Sequence, residues 1–491
     1  MIADRFAMPP RRRRPATRWC ALLVLLALLP GSLHARPLDP GEVAYAAAMR
    51  PAFAADVARP QLPRYHVRLA VDPAAGRLSG ELELLFWNTT GAALPDVVLR
   101  LYQNFPQDVF GDGGDGAAAL SDARVDGKPV EPRYQAGHTA VRLALARPIE
   151  PGAAAQISLS WTAHAGPLHG TDDTIPLLGA IPQLAVWDGG WRTDVTRMPD
   201  HVYAESGLYH AFVSAPAEWA VASGGAEIGR TTRGATATTE LVSGPVRELA
   251  LALGRFSSIE ADSGGVTLRV AYRRDGKVPL AAAQQVLRRA VQSLATTAER
   301  YGPYPYRALT FCVLEAGRGF SDAREYPGFI LLLLDRGYSP TTHQDVAHEV
   351  GHQWFYGLVG NDIYRDPWLD EALAQYTTFV VMQQWDGAAA ADDYFASEIA
   401  ALGGRARYSL GRSVDRYPSW GSLYASVYGK GGLFIAALRE RVGDDAFFAG
   451  LRRYVERHRY GVAHPDDLRR ALESASGQDL GELFASSLGG R

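Results

Sequence analysis

The residues best equipped for chemistry are His348-Glu349-Val350-Gly351-His352. Their four-residue separation puts both imidazoles on one face of a helix, where the two rings can share a metal ion. Glu349 then stands beside that metal as a general base. The competing reading is a surface helix that carries two histidines by chance. A catalytic zinc wants a further protein ligand beyond the histidine pair, and Asp366-Pro367-Trp368-Leu369-Asp370-Glu371 offers one. Asp366 is suited to cap a helix and Pro367 to its first turn. Glu371 lies one turn inside, and Trp368, Leu369 and Ala372 can pack that helix onto the first. Its bland alternative is a solvated carboxylate at a helix start.

The elements that must carry these groups follow from periodicity. Leu280 to Tyr301 has apolar residues at helical spacing, strand-like runs come next at 309–314 and 329–334, and after Thr342 nearly everything reads as helix. One of the last helices, 465–474, opens on His464-Pro465-Asp466-Asp467, with proline and acids where a helix start favours them. Upstream, the stretches 65–71, 78–86, 141–145 and 156–161 alternate apolar and polar residues between turns. This predicts a multidomain chain: a Pro- and Ala-rich leader at 36–63, an all-β antiparallel domain at 64–274, and a mainly helical α+β domain at 275–491. The 491 residues suffice for two such cores, and 47% hydrophobic content excludes dominant disorder. A formal net charge of −3 leaves no electrostatic footprint for nucleic acid. Cys20 and Cys312 are the only cysteines, too few for a disulfide scaffold. Asn88-Thr89-Thr90 matches a glycosylation sequon at the end of a strand.

An HExxH motif followed by eighteen residues and then Glu371, in a Trp-Leu-Asp-Glu setting, resembles the zinc aminopeptidase family of aminopeptidase N and leukotriene hydrolase, the gluzincin metallopeptidases. Tyr301-Gly302-Pro303-Tyr304-Pro305-Tyr306 resembles that family's entry into its catalytic domain. The resemblance covers nearly the whole chain beyond residue 35. It implies a β saddle domain followed by a thermolysin-like catalytic domain, in a short form without the family's long C-terminal helical domain. It also implies one zinc ion per chain on His348, His352 and Glu371, with Glu349 as base. The implied reaction removes N-terminal residues from peptides by means of a zinc-activated water.

Two further motifs of that family have counterparts. Its Gly-x-Met-Glu-Asn segment, whose Glu binds the substrate's free amine, matches Asp322-Ala323-Arg324-Glu325-Tyr326. Glu325 keeps the carboxylate, which suits a cationic amine through charge-assisted hydrogen bonding. Asp322, Arg324 and Tyr326 depart from the motif, so the side-chain preference stays open. The family's Tyr-x-Lys-Gly matches Tyr428-Gly429-Lys430-Gly431, which assigns Tyr428 to stabilising the tetrahedral intermediate and leaves Lys430 structural. Two other readings remain. An endopeptidase would use the same zinc if Glu325 did not face the cleft. A non-catalytic peptide-binding relative would use the β domain as a platform and would need neither Glu349 nor Tyr428. Epoxide hydrolysis is a weaker option within the same family.

The N-terminus reads as an address. Arginines fill positions 11–14, the apolar run 19–29 is shorter than the ~20 residues that span a bilayer, and Ala35 offers a small residue for cleavage. This predicts a signal peptide over 1–35 and a periplasmic or secreted product with no membrane contact in its mature form. An uncleaved signal would leave the protein membrane-anchored. N-terminal sequencing of the exported product should begin at Arg36; an intact Met1 on a membrane-bound product would establish the anchor instead.

Overall fold

The structure, a computed structural model, describes residues 40–105, 118–166, 174–196, 202–315, 321–335 and 337–489. The predicted signal peptide lies outside them. Among the described residues no helix is long and apolar enough to cross a membrane.

The alternating stretches form strands with one buried face. Arg77–Trp87 buries every second residue, as its spacing predicts. It sits inside an eight-stranded sheet, between Arg64–Asp72 and Ala154–His164. A four-stranded sheet and a three-stranded sheet complete the sheet-rich N-terminal part. One expectation fails here. The domain is not purely antiparallel, because Arg64–Asp72 pairs in parallel with Leu208–Pro216. Alternation fixes which face is buried and says nothing of strand direction.

The expected boundary at 274/275 also shifts. The hairpin of Phe256–Ser263 and Val266–Arg273 belongs to the five-stranded sheet of the C-terminal part, because Val266–Arg273 pairs in parallel with Ala308–Glu315. Phe329–Leu334 lies beside Ala308–Glu315, and Asp322–Tyr326 closes the edge. Phe329–Leu334 is apolar throughout and wholly buried, as a strand covered on both faces requires. Ile330, Leu332 and Leu334 join the large core that includes the helices, while Phe329, Leu331 and Leu333 pack with Ala222, Ala252 and Cys312. Cys312 is therefore a core residue whose thiol burial pushes up.

The C-terminal part is otherwise mainly helical. Leu280–Tyr301 spans the predicted range. Pro340–His352 carries the histidine motif; Ser339 caps it by accepting the Thr342 N–H at 3.1 Å, and Pro340 suits its first turn. The next helix, Trp368–Trp385, starts later than expected. Pro367, not Asp366, occupies the cap position, with no side-chain cap bond. Asp366 instead finishes the preceding turn, its N–H bonded to the Asp362 carbonyl at 2.7 Å.

The described residues, from Pro40 onward, pack as one unit. The leader, expected to wrap onto the β domain, does so through the Glu42–Arg64 ion pair at 3.2 Å. It continues onto the helical part, where the Tyr460 hydroxyl donates to Asp56 at 3.0 Å. The Asn88 sequon is structural: its buried amide donates to the Ala92 and Ile149 carbonyls, each at 2.7 Å. Buried Arg247 ties distant segments together by donating to the carbonyls of Tyr356 at 2.8 Å, Ala204 at 2.7 Å, and Gly461. Arg247→Met should strand these acceptors and cost about 3 kcal/mol or more in urea unfolding; a loss below about 1 kcal/mol would mean that water replaces the guanidinium.

Candidate metal centre

His348, Glu349 and His352 project from the Pro340–His352 helix and Glu371 from the first turn of Trp368–Trp385. Three ligand atoms converge. Nε2 of His348 and Nε2 of His352 are 3.0 Å apart, and each lies 3.2 Å from Oε2 of Glu371. Tetrahedral coordination with bonds of about 2.0–2.1 Å places ligand atoms roughly 3.3 Å apart. Among the described residues, this is the group of three or more His, Cys, Asp or Glu side chains able to hold a metal ion.

The ring orientations support the same reading. Nδ1 of His352 faces the Phe355 carbonyl at 3.0 Å, so its proton belongs there and the Nε2 lone pair faces the centre. Gln375, one helical turn beyond Glu371, lies beside the His348 ring and donates to the Glu398 carbonyl at 3.3 Å. Burial pulls His348 below its ordinary range. Burial also opposes charge on His352, but the Glu371, Glu325 and Glu349 carboxylates together hold it well above that range. Burial works upward on Glu371 as well, yet the two histidines pull it below the usual carboxylate range. Two imidazole nitrogens and one carboxylate oxygen make a donor set that suits a divalent cation.

All six residues singled out from the sequence line one cavity of about 250 Å³. Glu325 comes from the edge strand Asp322–Tyr326, opposite Ile330. Tyr428 lies in a π-helical turn, Ala425–Lys430, a widened geometry common at functional sites. Its hydroxyl donates to Oε1 of Glu371 at 2.6 Å, the oxygen turned away from the histidines. Lys430 is structural, donating to the Tyr408 carbonyl at 3.2 Å.

Sequence reasoning missed several residues of the cavity wall: Asp345, Gln375, Glu398, Trp420 and Tyr424. Asp345 and Gln375 share helix faces with His348–Glu349 and Glu371, so helical spacing alone would have found them. Tyr424 and Trp420 stand at the same helical spacing before Tyr428, while Glu398 carries no such signal. Arg324, where the motif departs, is buried and paired with Asp322 at 2.8 Å.

Among known proteins, residues 330–486 match the peptidase family M1 domain. Aminopeptidase N of Lactococcus lactis subsp. lactis is 31% identical over 167 residues, which is 32% of this chain and 20% of that protein. The Tricorn protease-interacting factor F2 of Thermoplasma volcanium is 29% identical over 151 residues, 28% of this chain and 18% of that one. The chain thus spans about a fifth of the length of the curated relatives it matches. The crystal structure of an M1 zinc metallopeptidase from Deinococcus radiodurans shares the fold, with a TM-score of 0.64 and 21% identity over 88% of this chain and 94% of that one.

His348→Ala or Glu371→Ala should abolish stoichiometric metal binding, while Glu349→Gln and Tyr428→Phe should keep it. Elemental analysis of dialysed protein checks this. Full metal retention in Glu371→Ala would remove that residue from the ligand set.

Proposed function

We propose that the chain is a zinc aminopeptidase of the M1 peptidase family that releases N-terminal residues from peptides, a reading supported by the match of residues 330–486 to that family's domain and by the shared fold. In this reading the sheet-rich part is the family's saddle and the helical part its thermolysin-like catalytic domain. The N-terminal address marks the enzyme for export. One observation carries the substrate assignment. Glu325 lines the same cavity as the three metal ligands and Glu349, so a carboxylate faces the place where a peptide's end would lie.

His348, His352 and Glu371 would hold the zinc. When bound, it supplies Lewis-acid polarisation of a carbonyl and an acidified water. Glu349 takes the proton of the attacking water and passes it to the leaving amine. Tyr428 turns its O–H from Glu371 to the carbonyl oxygen as negative charge builds there. Glu325 pairs with the substrate's α-ammonium, so the scissile bond is the first one.

An intact free amine is therefore required. Glu325→Ala should lower kcat/KM on free-amine aminoacyl amides by ~10- to 100-fold, the loss of one charged hydrogen bond. N-acetylation of the substrate should do the same to the wild type. Acetylated peptides cut as fast as free ones would make the protein an endopeptidase.

A further inference from the structure

We propose that Gln353 is a positioning residue that fixes the amine anchor Glu325 relative to the metal centre. This rests on the aminopeptidase reading above. Gln353 directly follows the second histidine ligand and is 1% exposed. Its Oε1 accepts the Gly328 N–H at 2.8 Å and the Tyr304 O–H at 3.3 Å. Its Nε2 donates to the Tyr326 carbonyl at 3.2 Å and the Glu349 carbonyl at 3.4 Å. One side chain thus joins the backbone of the general base to both sides of the turn that ends the anchor strand.

That turn is tightly defined. Pro327-Gly328 links the strands Asp322–Tyr326 and Phe329–Leu334, and Gly328 has φ +73°. Pro followed by a positive-φ Gly suits a type II turn. The other side of the turn is closed by backbone. A Cβ on Gly328 would come within 2.8 Å of the Gly224 carbonyl oxygen, and one on Gly224 within 2.4 Å of the Pro327 oxygen. The turn is therefore held between the Gly224 backbone and the Gln353 amide. Glu325 stands two residues before Pro327 on an edge strand whose sheet neighbour, among the described residues, is Phe329–Leu334. Where the turn goes, the carboxylate goes.

The chemistry calls for an amide. Gln offers an acceptor and a donor at the same reach; Glu keeps the acceptor, and Met, of similar length, keeps neither. A residue that only packed would affect stability and all substrates alike. A positioning residue changes how well free-amine substrates are distinguished from blocked ones.

The test compares an aminoacyl amide with its N-acetylated form on the full zinc-loaded enzyme. Calorimetric binding of the free amino acid is measured in parallel. Gln353→Met should raise KM for the free amide ~10-fold, weaken amino-acid binding by the same factor, and change kcat by less than ~3-fold. The ratio of free to acetylated rates should fall with it, at unchanged zinc content. Gln353→Glu, which keeps the bonds from Gly328 and Tyr304, should fall between Met and wild type. It also carries the test if the Met variant does not fold. Variants that keep the wild-type ratio and KM, or that lose rate equally on both substrates, would overturn the positioning role and leave the aminopeptidase reading standing. A wild type that cuts both substrates equally would sink the amine anchor itself, and this inference with it.

Discussion

Where the Pro340–His352 and Trp368–Trp385 helices touch, a Cβ on Gly351 would lie 3.1 Å from Cβ of Thr377 and 3.2 Å from Cα of Ala374. The contact is therefore backbone against backbone at the centre of the histidine motif. Helices separated by ordinary side chains pack with axes about 8–10 Å apart. A short Glu side chain on the second helix must reach into a gap set by two imidazoles on the first. Close approach at Gly351 lets Oε2 of Glu371 come within 3.2 Å of both Nε2 atoms without strain in either helix. A bulkier residue there would open the triangle, and the ligand set would lose its geometry before it lost any of its members.

The sheet performs a different task. Its central strands are buried on both faces and act as a rigid floor. The edge strand carries Glu325, and an edge has only one neighbour to hold it. Edges are where a protein can present backbone and side chains to a peptide, because their second row of hydrogen-bonding groups is free of the sheet. Exposure of that kind brings mobility unless something restrains the strand. The Pro327-Gly328 turn, fitted against Gly224 and bonded by Gln353, supplies the restraint from two parts of the chain remote in sequence.

The residues differ in how far the sequence exposes them. His348, Glu349 and His352 are legible because the helical period alone gives them a common face. Glu371 follows from the apolar pattern that packs its helix. Gln375 was equally readable by the same rule. The partner of His352 was not, since it is the Phe355 main-chain carbonyl. Tyr424 and Trp420 stand four and eight residues before Tyr428 and both rings pack against it, so the same rule applied to Tyr428 would have found them too. In the sheets, alternation reveals strands but not their partners. The hairpin 256–273 has the same local pattern whether it joins the β domain or the catalytic sheet, and contacts with Ala308–Glu315 decide it. The Asp366 cap failed for a similar reason: capping is a local preference, and an equally local turn with Asp362 competed for the same residue.

Charge explains why the proposed metal ligands, base and anchor would belong in one cavity. Glu325, Glu349 and Glu371 all act on His352, so several carboxylates converge beside the histidine pair. At 4 Å, with an effective dielectric near 20, unit charges interact by about 4 kcal/mol, so each cation admitted eases the burial of every nearby carboxylate. A divalent ion on Glu371 and the histidines offsets the charge at the centre. In the aminopeptidase reading a peptide's ammonium would be a second cation, paired with Glu325, and it would bring the scissile carbonyl with it. The two cations would repel each other if they sat too close, and the carbonyl would miss the centre if they sat too far apart. The separation between the anchor strand and the histidine helix therefore decides whether the same charges bind a substrate productively or merely bind it.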